Sequence, residues 1–234
     1  MPPRSSRSVL ALEGATLAER AFSATPALLD LDLRRGEVAM VHVDDDDEAS
    51  ALVDLCVGFG APARGLVRFL GLDWATRTRP QRLHRRRRIG AVMRTDVWPS
   101  YMTIMESLLL TRLYHFDRPR AEAVAEATAL ARLFGLPGLP AGRRETTSRY
   151  ALVRAGCVRG LMGSPDLVLV QDPLLDHTPD LAVPMAQAIS AVRARGGAVL
   201  WISAGMAAPA AQFVATDHVF RLGDSGFIRM RRPR

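Results

Sequence analysis

Two stretches of this chain, "DLVLV" at residues 166–170 and "AVLWIS" at residues 198–203, are apolar at almost every position. A strand with one wet face alternates apolar and polar residues, whereas a strand covered on both faces need not. Short runs of this kind predict central strands of a mainly parallel sheet, with helices packed on both sides. Leu167–Gln171 and Ala198–Ser203 are therefore read as strands, together with Val9–Leu12, Glu37–Val43, Leu66–Phe69, Ile89–Met93 and His218–Leu222.

Helical patterns fill the intervals. After Asp117, "RPRAEAVAEATALARLFG" has Pro119 in its first turn. It places Val124, Ala127, Leu130, Ala131 and Phe134 on one face, and Gly135 follows as a stop. "AVPMAQAISAVRARGG" repeats the design, with Met185, Ile189 and Val192 inward and Gly196 after them. From Trp98 to about Arg144 the pattern is helical and strand-free, which suggests a helical sub-lobe inserted into an α/β core. The division expected is residues 1–96 and 147–234 for the core and 97–146 for the helical subdomain.

Composition limits the function classes. With 234 residues, 48% of them hydrophobic, the chain can bury a full core. No apolar run is long enough to span a bilayer, and "MPPRSSRSVLALEG" lacks the apolar segment of a signal peptide. Cys56 and Cys157 both fall inside apolar helical patterns, so a reducing cytoplasm is expected rather than a disulfide framework. The net charge is +7, and all 31 basic residues are arginine. The densest run, Arg85 to Arg88, is read as a solvated basic face. No zinc spacing, aromatic RNA-binding strand or helix-turn-helix pattern accompanies it, so no nucleic-acid partner is expected.

The segment "GEVAMVHVDDDDEASALVDL", residues 36–55, carries the sharpest signal. Strand, tight loop and amphipathic helix are the parts of a phosphate-binding loop, yet this loop holds four aspartates and a glutamate. Two like charges about 4 Å apart repel by roughly 1 kcal/mol in water and more near a protein surface. Carboxylates are themselves favourable at a helix N-terminus, so the acids occupy the place a phosphate would use. A calcium loop would need alternating ligands, a central glycine and a distant glutamate, so no metal is assigned. His42 suits a packed strand position. His84, His115 and His218 have no partner at a defensible spacing, and Ser148 and Ser203 lack a nucleophile-elbow context.

The order of segments carries a resemblance. "LDLDLRRGEV", "GLVRFLGLDW", "RRRRIGAVMR", "MTIMESLLL", "GSPDLVLVQDP", "AVLWISAG" and "DHVFRLGDSG" follow one another as in the nucleotide-binding subunits of ABC transporters, from about Leu10 to Gly226. "DPLLDHTPD" is most similar to the stretch after Walker B in ATPases of MCE-type lipid transporters, including the Mla phospholipid system. The resemblance implies an α/β fold with a RecA-like P-loop core and an inserted helical subdomain.

It also implies which positions should hold nucleotide, and most are replaced. The Walker A loop corresponds to Val43, Asp44, Asp45, Asp46, Asp47, Glu48, Ala49, Ser50 and Ala51, with Ala49 at the lysine and only Ser50 of the family's type. Walker B ends in Gln171 and Asp172, where the family has a magnesium-orienting aspartate and a catalytic glutamate. The signature corresponds to Thr147, Ser148, Arg149, Tyr150 and Ala151, and Ser148 alone is kept. Arg94 stands for the Q-loop glutamine and Ala204 for the switch histidine. Phe22 is the candidate stacking aromatic, and Asp172 with His177 has no support as an acid/base pair outside this alignment.

These replacements lead to an expectation of no catalytic residue, no metal and no cofactor. What the family would retain is docking: a membrane permease helix against Trp98, Tyr101, Met102 and Met105, although the same residues equally suit the core of the helical lobe. The function implied is a pseudo-ATPase, a structural or regulatory partner at the inner face of the cell membrane. It would form a homodimer or pair with another ABC ATPase subunit, in a complex for lipid transport. A divergent but active ATPase, with arginines in place of lysine and using ATP and magnesium, remains the alternative. A basic module for nucleic-acid or lipid surfaces is the lesser one.

Overall fold

A computed structural model describes residues 8–17, 27–94, 97–114, 119–172, 179–204 and 213–230. Its centre is a six-stranded sheet in the order β10-β9-β3-β8-β7-β6. The strands are β3 (Val38–Val43), β6 (Ile89–Val92), β7 (Leu167–Gln171), β8 (Ala198–Ala204), β9 (His218–Gly223) and β10 (Gly226–Arg229). All neighbours run parallel except β10, which returns antiparallel on β9. Every residue of β7 is buried, as its unbroken apolar run predicts.

A second, antiparallel sheet was not anticipated. It comprises β1 (Ser8–Ala15), β2 (Leu29–Arg34), β4 (Leu66–Phe69) and β5 (Leu72–Asp73), in the order β2-β1-β4-β5. β2 reads "LDLDLR", with Leu29, Leu31 and Leu33 buried and Asp30, Asp32 and Arg34 exposed. That alternation is the mark of a strand with one wet face.

Helix α1 (Asp46–Val57) joins the two sheets. Its Ala49, Leu52, Val53 and Cys56 recur at helical spacing and are buried in one core with Leu10, Leu12, Leu33 and Phe69 from the antiparallel sheet. Burial pushes the Cys56 thiol up to about 12, and both cysteines are free. Gly58 closes α1 in the left-handed conformation at φ 69°, and a Cβ there would strike the Trp74 ring.

The opposite face of the parallel sheet is covered by α3 (Ile104–Tyr114), α4 (Arg120–Leu133), α5 (Arg149–Leu161) and α6 (Pro179–Ala194). On α4, Ala127 and Ala131 face the core, and Phe134 just beyond it is buried, while Val124 and Leu130 are half-buried. Met185, Ile189 and Val192 of α6 face inward as the spacing predicts. Gly90 on β6 lies so close to Gly160 on α5 that a Cβ at either position would collide with the opposing backbone. At this crossing helix α5 touches β6 backbone to backbone, while Val158 and Leu161 pack into the core beside it.

The arginine run begins in a helix not read from the sequence, α2 (Arg79–Arg86), which buries no residue, and ends in the turn of Arg87 and Arg88. Gln81 caps it by accepting from the Thr78 N–H at 3.1 Å. Arg86 lies over the rings of Phe59 and Trp74.

Candidate functional site

The carboxyl ends of β3, β6, β7 and β8 meet at one edge of the parallel sheet, where open α/β sheets place their ligands. β3 leads into the acidic segment and β6 into Arg94. β7 ends in Gln171, followed by Asp172, and Ala204 closes β8 opposite Val43.

The positions aligned with Walker A run from Val43 to Ala51, but the connection between strand and helix is only Asp44 and Asp45, and Asp46 to Ala51 already lie on α1. Asp45 is the N-cap of α1, and its Oδ1 accepts from the Glu48 N–H at 2.8 Å. Glu48 reaches back, its Oε2 accepting from the Asp44 N–H at 3.1 Å. The Ala49 N–H donates to the Asp45 carbonyl at 3.2 Å. Aspartate is a strong cap and a glutamate three residues on completes a variant of the capping box, so these residues start the helix early. The Asp44, Glu48 and Ala49 amides, which an arriving anion could use, are thereby engaged by the chain itself.

Ala49, at the lysine position, is fully buried in the core beneath α1 rather than turned to the loop. Ser50 faces the sheet edge. Its Oγ donates to the Asp46 carbonyl at 2.8 Å and accepts from Gln171 Nε2 at 3.4 Å. The Walker A and Walker B positions are thus joined, through a neutral amide instead of a carboxylate.

Asp172 follows β7 with φ 31°, a conformation uncommon outside glycine. It is buried; Oδ1 accepts from the Trp201 indole N–H at 3.2 Å and Oδ2 from the Ala204 N–H at 2.8 Å. Burial raises its pKa above the usual carboxylate range, and these hydrogen bonds oppose the shift. Both oxygens are tied to the end of β8.

Two arginines neutralise the exposed acids. Arg94 Nη1 binds both carboxylate oxygens of Asp46, at 3.0 and 2.7 Å, and Arg221 Nη2 pairs with Asp44 at 3.4 Å. Arg221 was missed by sequence reasoning; only the pairing of β9 with β3 brings it to the loop.

The signature segment also has structural work. Ser148 caps α5, its Oγ accepting from the Ala151 N–H at 3.3 Å. Arg149 is exposed, and the Tyr150 ring carries the guanidinium of buried Arg154 at 3.2 Å from its centre. Arg154 also pairs with Asp180 at 3.2 Å.

The four docking candidates do not form one surface. Trp98 is buried, with the Arg159 guanidinium 4.3 Å over its ring. Met105 packs partly buried against the core, Met102 is half-buried, and Tyr101 is 78% exposed. A more open feature, in which apolar side chains mix with Arg86, Arg87, Arg112 and Arg159, lies nearby. Exposed Phe59 and Leu83 border a cavity of about 350 Å³ that includes Ile89, Leu108 and Met162. Among the described residues, no group of three or more His, Cys, Asp or Glu side chains is placed to hold a metal. His42 is half-buried in β3. Phe22, His115 and His177 lie outside the described residues.

Solved structures with this architecture settle the fold. A dimeric ATP-binding cassette, MJ0796 bound to ADP and Pi in a post-hydrolysis state, superposes with a TM-score of 0.82 at 16% identity, covering 96% of this chain and 99% of that one. The ATP-binding subunit of an ABC transporter superposes with a TM-score of 0.79 at 18% identity, covering 95% and 90%. The fold is that of an ABC transporter ATP-binding cassette.

No protein-family model matches this chain. Two curated relatives are similar in sequence. The phosphonates import ATP-binding protein PhnC of Alcaligenes faecalis is 34% identical over 158 residues, 64% of this chain and 57% of that protein. The match thus spans less than two thirds of that relative. The phosphate import ATP-binding protein PstB 2 of Natronomonas pharaonis is 26% identical over 204 residues, 78% and 71% of the two lengths.

These findings correct the expectation of no cofactor. The relatives are named as ATP-binding proteins, and the post-hydrolysis cassette holds ADP and Pi. The physical reason lies in the charge count, which treated the acidic loop as bare. In the fold Asp44 and Asp46 are paired with arginine, while Asp45 and Glu48 hold the helix terminus. The β3–α1 connection itself is nevertheless only two residues long, and its Asp44 amide is taken by Glu48. The expected kinship with MCE-type lipid transporters finds no counterpart in these relatives, which are named for phosphonate and phosphate import.

Proposed function

We infer that this chain is an ABC-type ATP-binding subunit of a transport complex, working as a dimer on a membrane permease. The observation that carries this reading is the junction of Ser50 with Gln171 at the carboxyl edge of a cassette fold. The Walker positions come together there even though their residue types differ. The apolar rim of Phe59 and Leu83, beside the cavity on β6 and α3, is the favoured seat for a permease helix. No helix of the described residues is long and apolar enough to cross a membrane, so attachment falls to the partner.

The finer reading concerns turnover. Asp172 is withdrawn into hydrogen bonds with β8, Gln171 is neutral and Ala204 cannot exchange a proton. A regulatory cassette with little hydrolysis of its own, paired with a more active copy, fits these replacements. The second reading is a divergent, active ATPase. It is favoured by relatives named for ATP-binding import, and their named cargoes make phosphonate and phosphate uptake the first transport to assay.

The test is co-expression with a candidate permease, followed by purification from membranes and assay of ATP turnover. Recovery of the chain with the permease, weakened by replacing Phe59 and Leu83 with aspartate, supports the reading. A chain that never co-purifies with any permease sinks it. Turnover that survives in the complex but is lost in Asp172→Asn decides for the active ATPase over the regulatory cassette.

A further inference from the structure

Beside the acidic loop lies a cavity of about 290 Å³ that the Walker alignment does not anticipate. Three guanidinium groups line it, from Arg94 after β6, Arg144 in the turn before α5, and Arg149 at the first residue of α5. Trp98, Leu152 and Val153 contribute apolar wall, and no described lining residue is a carboxylate. The three arginines come from separate stretches of the chain, so the cluster is a product of the fold and not of one basic run.

Like charges gathered in a cleft with apolar walls concentrate a positive field there. The guanidinium is planar, always charged and matched in shape to phosphate oxygens, which it grips through paired N–H groups. The N-terminus of α5 adds its partial positive charge at the same wall. Arg94 shows the chemistry in place, since it already holds both oxygens of the Asp46 carboxylate. An anionic ligand with more charge and more acceptors than a carboxylate competes well for it.

We propose that this arginine-lined cavity is an oxyanion site that takes phosphate groups, from a nucleotide or from free phosphate, in place of the short β3–α1 connection. The site explains how a cassette without lysine and with so short a connection can still receive a phosphate-bearing ligand. It rests on the ATP-binding reading for the nucleotide source alone; free phosphate would bind irrespective of it. Asp46 becomes a gate in this arrangement. Arg94 exchanges one anion for another, and the start of α1 responds to occupancy.

The experiment is calorimetric titration of the full-length chain with inorganic phosphate, ADP and ATP, each in low and moderate salt. The double variant Arg144→Ala/Arg149→Ala, whose side chains are exposed, is compared with Arg34→Ala as a distant exposed control. The expected result is binding that weakens as salt rises and falls at least tenfold in the double variant, with the control unchanged. A response to ATP and ADP alone assigns the cavity to nucleotide phosphates, and competition by free phosphate assigns it to the oxyanion itself. Affinities unchanged in the double variant overturn the proposal and leave the ATP-binding reading standing. Absence of binding by all three ligands to the folded chain overturns it as well. So does self-association lost in the double variant without any phosphate response, because the cavity would then hold a second copy's carboxylates. If phosphate binds as expected but the permease never co-purifies, the transport reading fails and the cavity stands.

Discussion

Asp46 and Asp172 stand on neighbouring elements at one edge of the sheet, and the protein holds them by opposite means. Asp46 is half in water against the charged Arg94, whereas Asp172 is buried against two neutral donors, the Trp201 indole and the Ala204 amide. The exposed pair is strong in Coulomb terms but screened, so it contributes little to stability. The buried carboxylate lost its hydration on folding, so each hydrogen bond to it matters more. The difference teaches which acid can be spared. The arginine-paired loop acids, Asp44 and Asp46, are adjustable surface groups, while Asp172 is part of the frame between β7 and β8 and Asp45 is part of the start of α1.

The largest expected effect comes from crossing that line. Ala49→Lys places a charge in the core under α1, so it should destabilise the fold by roughly 3 kcal/mol or more. A shift in the denaturation midpoint reads this directly; an unchanged midpoint would show that the side chain escapes to the loop. Next comes Trp201→Phe, which leaves one oxygen of Asp172 without its donor and should cost about 2 kcal/mol.

The same carboxylate sets a pH signature. Because its folded pKa is raised, its contribution is fully present below the unfolded value and is lost as pH rises through the folded value. Wild type should therefore gain stability relative to Asp172→Asn as pH falls from about 7 to about 4. A constant difference would mean that Asp172 titrates normally. Asp45→Ala removes the cap of α1 and should cost about 1 kcal/mol. Arg221→Ala breaks only an exposed pair and should stay within about 0.5 kcal/mol at moderate salt. If it matched Asp45→Ala, the contrast between adjustable and framing groups would be wrong.

The central strands were legible because parallel strands buried on both faces leave unbroken apolar runs, as in β7 and β8. β2 carried its own signal in "LDLDLR", but its alternating acids look like surface and hide the strand. α2 left only its start signal, Thr78 followed by Pro80 and Gln81, with no apolar stripe after it. A helix without a buried face has no periodicity to read, and its arginines appeared only as a charge run. At the site, the order of segments located Ser50, Gln171 and Asp172. The short connection was also readable, from Asp45 followed three residues later by Glu48. The pairings were not, because Asp44 meets Arg221 and Asp46 meets Arg94 only once the strand order is known.

The contact between Gly90 and Gly160 has a consequence for how this sequence can change. Where two backbones touch, a mutation has no small step available, because even one methyl group acts as a wedge. In a saturation library these two codons should behave as fixed points, while exposed Arg79 of α2 drifts freely. A wedge there would also tilt α5, which carries Arg149 at one end, away from the strand that precedes Arg94. Anion recognition could then be lost from a place that no ligand touches. Screens for such distant loss-of-binding alleles would find them first at these two glycines.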